Sequence, residues 1–121
     1  MTKNRNSKPY DLEDRTFEFA KKVRVFVERL PKTISNVEDI KQLIKASGSV
    51  GANYIEANEA LSKKDFTMRI KISRKEAKES RYWLRLIETA DEVSQEKERQ
   101  DLIKEAAELM NIFGAILQKS T

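Results

Sequence analysis

Apolar residues recur along most of this chain at intervals of three and four, the spacing that places them on one face of an α-helix. Phe19, Ala20, Val23, Phe26, Val27 and Leu30 keep that rhythm between Asp11 and Pro31 and predict a first helix. Asp11, Glu13 and Asp14 suit its positive N-terminal end, and Pro31, which lacks an amide hydrogen, stops it. Ile40, Leu43, Ser47, Val50, Tyr54, Ala57 and Leu61 carry the pattern on and predict a second helix, opened by Asn36 as N-cap and running to about Leu61. Ser62, with Asp65 three positions later, predicts the cap of a third helix from Lys63 to about residue 91. Its apolar arc is wide: Phe66, Ile70, Ser73, Ala77, Ser80, Leu84 and Ile87 make one stripe, and Ile72, Glu76, Glu79, Trp83, Leu86 and Ala90 another beside it. A fourth helix, over about 95–118, repeats the arrangement with Leu102, Ala106, Leu109, Phe113 and Ile116 beside Ile103, Ala107, Met110 and Leu117. A helix apolar over so wide an arc touches more than one neighbour.

Four helices with short connections predict an all-α protein, an antiparallel up-down four-helix bundle over residues 11–121. The surplus apolar surface predicts packing against further copies, hence a homo-oligomer. Residues 1–10 lack periodicity and read as a flexible basic tail. Composition agrees with helices: among 121 residues there are only three Gly and two Pro. The chain contains neither Cys nor His, which removes disulfides, thiol nucleophiles, the commonest general base and the commonest zinc ligands. The polar start and the lack of any run of about eighteen apolar residues argue against a membrane location and make the cytoplasm the default.

The segment ASGSVGANYIEANEA, residues 46–60, fits this scheme least easily. Gly48 and Gly51 lie inside a predicted helix, where each costs about 0.5–1 kcal/mol relative to Ala. With Ala52 they read as positions where another helix backbone comes close. Ser49, Asn53 and Glu56 share one stripe, read as a structural polar network that meets Glu79 or an Arg of the third helix and sets helix register. The competing reading of inward carboxylates, a di-metal site in the bundle, calls for Glu-x-x-His pairs, and a chain without His cannot supply them. No metal, cofactor or catalytic residue is therefore expected, and nothing offers a nucleophile with an oxyanion hole.

Charge is distributed unevenly. Residues 61–90 hold nine basic and four acidic side chains, whereas 91–121 hold four basic and seven acidic. On the third helix Lys64, Lys71, Lys75, Lys78, Tyr82 and Arg85 fall on one side, flanked by Arg74 and Arg81. The pairs Lys71/Lys75, Arg74/Lys78 and Arg81/Arg85 are like charges one turn apart, each unfavourable by about 0.2–0.5 kcal/mol. Two partners would offset that repulsion. Phosphates of RNA or DNA are one, with Tyr82 free to stack on a base. The acidic stripe Glu98, Asp101, Glu105 and Glu108 of the fourth helix is the other, facing the basic stripe within a subunit or between subunits and making the protein an assembly or protein-interaction module.

SVGANYIEANEA at 49–60 and KISRKEAKESRYWLRLI at 71–87 carry a family likeness. With Asn53, Glu56 and Ala57 in the first segment and Ala77, Glu79, Tyr82, Trp83 and Leu84 in the second, the chain resembles the four-helix-bundle proteins of the 23S ribosomal RNA intervening-sequence family. The likeness extends from about Asp11 to Leu117. It implies a bacterial up-down bundle assembling into a ring, typically a homopentamer, with no established enzymatic activity. Members are encoded in insertions within large-subunit rRNA genes or elsewhere in bacterial chromosomes, and a relative that accompanies a retroelement reverse transcriptase is thought to bind nucleic acid. Gly51 departs from the family pattern, which commonly has proline before Ala52.

Overall fold

The computed structural model describes residues 11–90 and 92–120; the expected basic tail over 1–10 lies outside them. The described residues form four helices and no strand: α1 Leu12–Glu28, α2 Ile34–Asn58, α3 Lys63–Leu86 and α4 Val93–Lys119. In backbone contact α1 neighbours α2, α2 neighbours α3, α3 neighbours α4, and α4 returns to α1, so the four close around one core. Phe19, Val23 and Phe26 of α1 meet Leu43 and Val50 of α2, Ile70, Ala77 and Leu84 of α3, and Leu102, Ala106, Leu109 and Phe113 of α4 there. Burying each large apolar side chain contributes about 1.5–3 kcal/mol. Tyr54 reaches across from α2 so that its ring centroid lies 5.7 Å from that of Phe113.

The stripes of three-and-four spacing are therefore core seams, and small hydroxyl residues sit within them. Ser47, Ser73 and Ser80 are buried, each donating to a backbone carbonyl: Ile44 at 3.3 Å, Val50 at 2.9 Å and Glu76 at 2.8 Å. The Ser73 bond crosses from α3 to α2, the most extensively packed pair of helices. A buried hydroxyl is tolerated because it is satisfied.

Helix ends differ from the sequence reading in instructive ways. Asp11 and Ser62 cap α1 and α3 as their positions suggest, accepting from Asp14 N at 3.3 Å and Asp65 N at 3.0 Å. The cap of α2 is Thr33 and not Asn36: Thr33 Oγ1 accepts from Asn36 N at 3.1 Å. Asn36 instead lies in the first turn, fully buried, and clamps two connections. Its Nδ2 donates to Pro31 O at 3.0 Å and Glu88 O at 2.8 Å, and its Oδ1 accepts from Glu88 N at 3.0 Å. That clamp draws the chain out of helix just after α3, which stops at Leu86 instead of near 91 as Ile87 turns to an extended backbone. Likewise α2 ends at Asn58, leaving Leu61 outside the helix and wholly exposed.

Candidate nucleic-acid interface

The two charged stripes carry the functional question, and the fold separates them. Glu105 and Glu108 of α4 face α1: Arg15 donates through Nε and Nη2 to Glu105 at 2.7 and 2.8 Å, and through Nη2 to Glu108 at 2.8 Å. Glu98 meets Arg29 at 3.4 Å, and Asp101 pairs with Lys97 on its own helix at 3.1 Å. These bonds, chiefly those to Glu105, hold the Arg15 guanidinium pKa above its ordinary value against the opposing effect of burial. A within-subunit pairing of the α4 acids with the α3 cations is thus corrected by the structure, because the acidic side of α4 turns toward α1. The sequence carried no sign of this pairing: Arg15 and Arg29 lie fourteen residues apart and Glu98 and Glu105 seven, so no common repeat matches them.

On α3, Lys64, Lys71, Arg74, Lys75, Lys78, Tyr82 and Arg85 are exposed and Arg81 is half-buried, so the expected basic surface is one contiguous outward face. Among the described residues the one ion pair on this set joins Lys75 to neighbouring Glu76 at 3.8 Å. Glu76 is partly withdrawn from solvent; burial raises its pKa, Glu79 adds to the rise, and Lys75 and Lys45 oppose it. Lys64, Lys71, Arg74, Lys78, Arg81 and Arg85 make no ion pair among the described residues. Arg74 leans toward α4, its Nε 3.6 Å from where a Cβ on Gly114 would stand. Their mutual repulsion is therefore not offset by an ion pair among the described residues.

The polar network expected around residues 49–56 is smaller than its sequence outline. Asn53 Nδ2 donates to Ser49 O at 2.9 Å, and Asn53 Oδ1 accepts from Arg69 of α3 at 3.0 Å. Ser49 Oγ donates back to Lys45 O at 2.9 Å. Glu56 and Glu79 are exposed and stand apart from this contact, so the side-chain pair that joins α2 to α3 here is Asn53 with Arg69. Among the close-approach positions, Gly51 is the demanding one: an added Cβ would stand 2.8 Å from Thr16 Oγ1 of α1. At Gly48 it would meet Arg24 at an ordinary 3.5 Å, and Ala52 is exposed.

Three polar side chains that sequence reading missed hold the end of the bundle where α3 stops. Arg99 of α4 donates from Nη1 to Leu84 O at 3.0 Å and Arg85 O at 3.3 Å, satisfying carbonyls at the negative end of α3. Glu96 orients it with bonds of 3.0 and 2.8 Å and, held by Arg99 and then Gln100, has a pKa lowered to about 2. Gln95, the buried one of the three, donates to Arg29 O at 2.8 Å. Among the described residues no group of three or more acidic side chains is gathered as a metal site. None of their helices is long and apolar enough to cross a membrane.

Fold and surface together define an all-α four-helix protein that keeps a cationic helix face turned outward. The family model of the 23S rRNA-intervening sequence protein matches residues 9–115, and the chain belongs to that family. It is also similar to a crystal structure of a protein with unknown function from the S23 ribosomal protein family of Bacteroides thetaiotaomicron. The two are 26% identical with a TM-score of 0.69, covering 87% of this chain and 96% of the other. No curated protein matches the chain.

Proposed function

We propose that this protein is a non-enzymatic, homo-oligomeric helical bundle that binds RNA or DNA without sequence preference through the outward face of α3. The observation that carries the reading is the unequal fate of the two charged stripes: the α4 acids are engaged by Arg15, Arg29 and Lys97, while six cations of α3 have no ion-pair partner among the described residues. Phosphates placed along such a face release condensed counterions, so affinity falls steeply with salt. The absence of Cys and His from the sequence supports binding over catalysis. An antiparallel up-down order is supported by Arg15 pairing farther along α4 than Arg29 does, and by Asn36 reaching Glu88 while Asn53 reaches Arg69. A cytoplasmic location and a ring, with five copies as the family likeness implies, complete the reading.

A second reading, an assembly module with no nucleic-acid role, draws on a different place. Between α1 and α2 lies a groove of about 310 Å³ walled by Phe17, Ala20, Gly48, Gly51 and Ile55. Phe17 is 59% and Ile55 47% exposed there. Charge reversal of Lys75 and Lys78 separates the readings. At about 50 mM salt, where phosphate contacts are strong, the unaltered protein should bind mixed-sequence nucleic acid in a polarisation assay. The double variant should lose that binding yet keep its size in light scattering. A variant that falls apart into subunits would put the α3 cations in a contact between copies and overturn the proposal, as would an unaltered protein that stays oligomeric but ignores nucleic acid, the outcome the assembly module expects.

A further inference from the structure

The outward face of α3 carries more than charge. Met68 is 51% exposed, Tyr82 54% and Leu86 46%, all among the lysines and arginines. Tyr82 follows Lys78 by one helical turn and precedes Arg85 by another, so cation, ring and cation succeed one another along a single strip. The ring is braced. Trp83 sits edge to face with it, centroids 5.0 Å apart and planes at 77°, and Trp83 is itself packed against the core. A ring held in this way gives up little freedom when a partner lands on it.

We propose that this face selects single-stranded over double-stranded nucleic acid, with Tyr82 as the platform for an unpaired base and Lys75, Lys78 and Arg85 on the flanking phosphates. The inference rests on the nucleic-acid reading above and narrows its substrate. A duplex presents phosphates to such a helix but keeps the faces of its bases stacked inside, so Tyr82 gains nothing from it. An unpaired strand offers both phosphate and free base faces, and stacking on an aromatic side chain is tolerant of sequence. From Lys71 to Arg85 the strip is about 21 Å long at a helical rise of about 1.5 Å per residue. That length spans about six nucleotides at a stacked spacing of about 3.4 Å. An anionic lipid surface is the other partner for cations beside apolar groups, but interfacial helices bury a continuous apolar face. Here Ile70, Ala77 and Leu84 turn that face into the core, leaving three separate groups outside.

The test uses the full chain, a labelled oligothymidylate of about 12 nucleotides, within the usual range of single-strand site sizes, and a duplex of equal length. Both are titrated by anisotropy at about 50 mM salt. The single strand should bind about tenfold or more tightly than the duplex. Tyr82→Ala should weaken single-strand binding about tenfold and leave duplex binding unchanged, while Tyr82→Phe keeps the preference. The sequence has a single tryptophan, so Trp83 emission should change when the strand binds and not when the duplex does. Equal affinity for both forms, or a Tyr82→Ala protein with undiminished preference, would overturn single-strand selection and leave the broader nucleic-acid reading standing. Binding to neither form would overturn both, as would sedimentation with phosphatidylserine vesicles in the absence of any oligonucleotide binding.

Discussion

Arg15 of α1 and Lys78 of α3 are both cations on amphipathic helices, and the fold treats them oppositely. Arg15 is drawn between two carboxylates of α4 and makes three charge-assisted bonds, whereas Lys78 stands in solvent beside other cations with no partner among the described residues. The difference comes from which side of α4 carries acid. Toward α1 that helix presents Glu98 and Glu105; toward α3 it presents Arg99, whose guanidinium caps the last carbonyls of α3. Polar groups that the fold engages therefore hold helices in place, and those it leaves alone are available for a partner.

This contrast can be broken by stability measurements, beginning with the most deeply engaged group. Asn36→Ala strands a donor and two acceptors at Pro31 and Glu88 and should cost about 2–3 kcal/mol in urea unfolding. Arg15→Met, which leaves Glu105 and Glu108 unpaired at a half-exposed site, should cost about 1–2 kcal/mol, between the values for exposed and buried pairs. The glycines divide in the same way. Gly51→Ala drives a Cβ against Thr16 and should destabilise by about 1 kcal/mol, overpacking outweighing the gain in helix propensity. Gly48→Ala has room and should stabilise by about 0.5–1 kcal/mol. Lys71→Ala with Lys78→Ala should move stability by less than about 0.5 kcal/mol. A loss there as large as that of Arg15→Met would end the distinction between engaged and available cations.

The smallest effect is acid dependence at the Arg99 cap. With its folded pKa at about 2, below the ordinary 4.5, Glu96 binds fewer protons folded than unfolded. Its stabilisation is complete above the unfolded pKa and disappears as pH falls through the interval toward the folded one. Glu96→Gln should flatten that part of the acid-unfolding curve, while the partial exposure of the carboxylate keeps the change modest.

Helix identity was legible because a period of three and four has one backbone solution. Phe19 to Leu30, Leu43 to Ala57, Ile70 to Leu84 and Leu102 to Phe113 needed only their spacing to be read as core. Two signatures in residues 49–60 and 71–87 were enough for the family. The basic face of α3 was legible for the same reason: charges at helical spacing opposite an apolar stripe point outward whatever surrounds them.

What spacing leaves open is the angular position of each helix relative to its neighbours. That Asn53 meets Arg69 rather than Glu79, that Asn36 clamps Glu88 instead of capping α2, and that the α4 acids go to Arg15 and Arg29 all depend on which flank of a helix meets which partner. A single chain read in order contains the faces but not their pairing, because side chains at the border of a stripe can serve either adjacent groove. Sequence alone thus determined four amphipathic helices, a cationic strip and a family. Only packing decided which charges are engaged, since bringing Glu105 to Arg15 requires the whole core to set the two helices side by side.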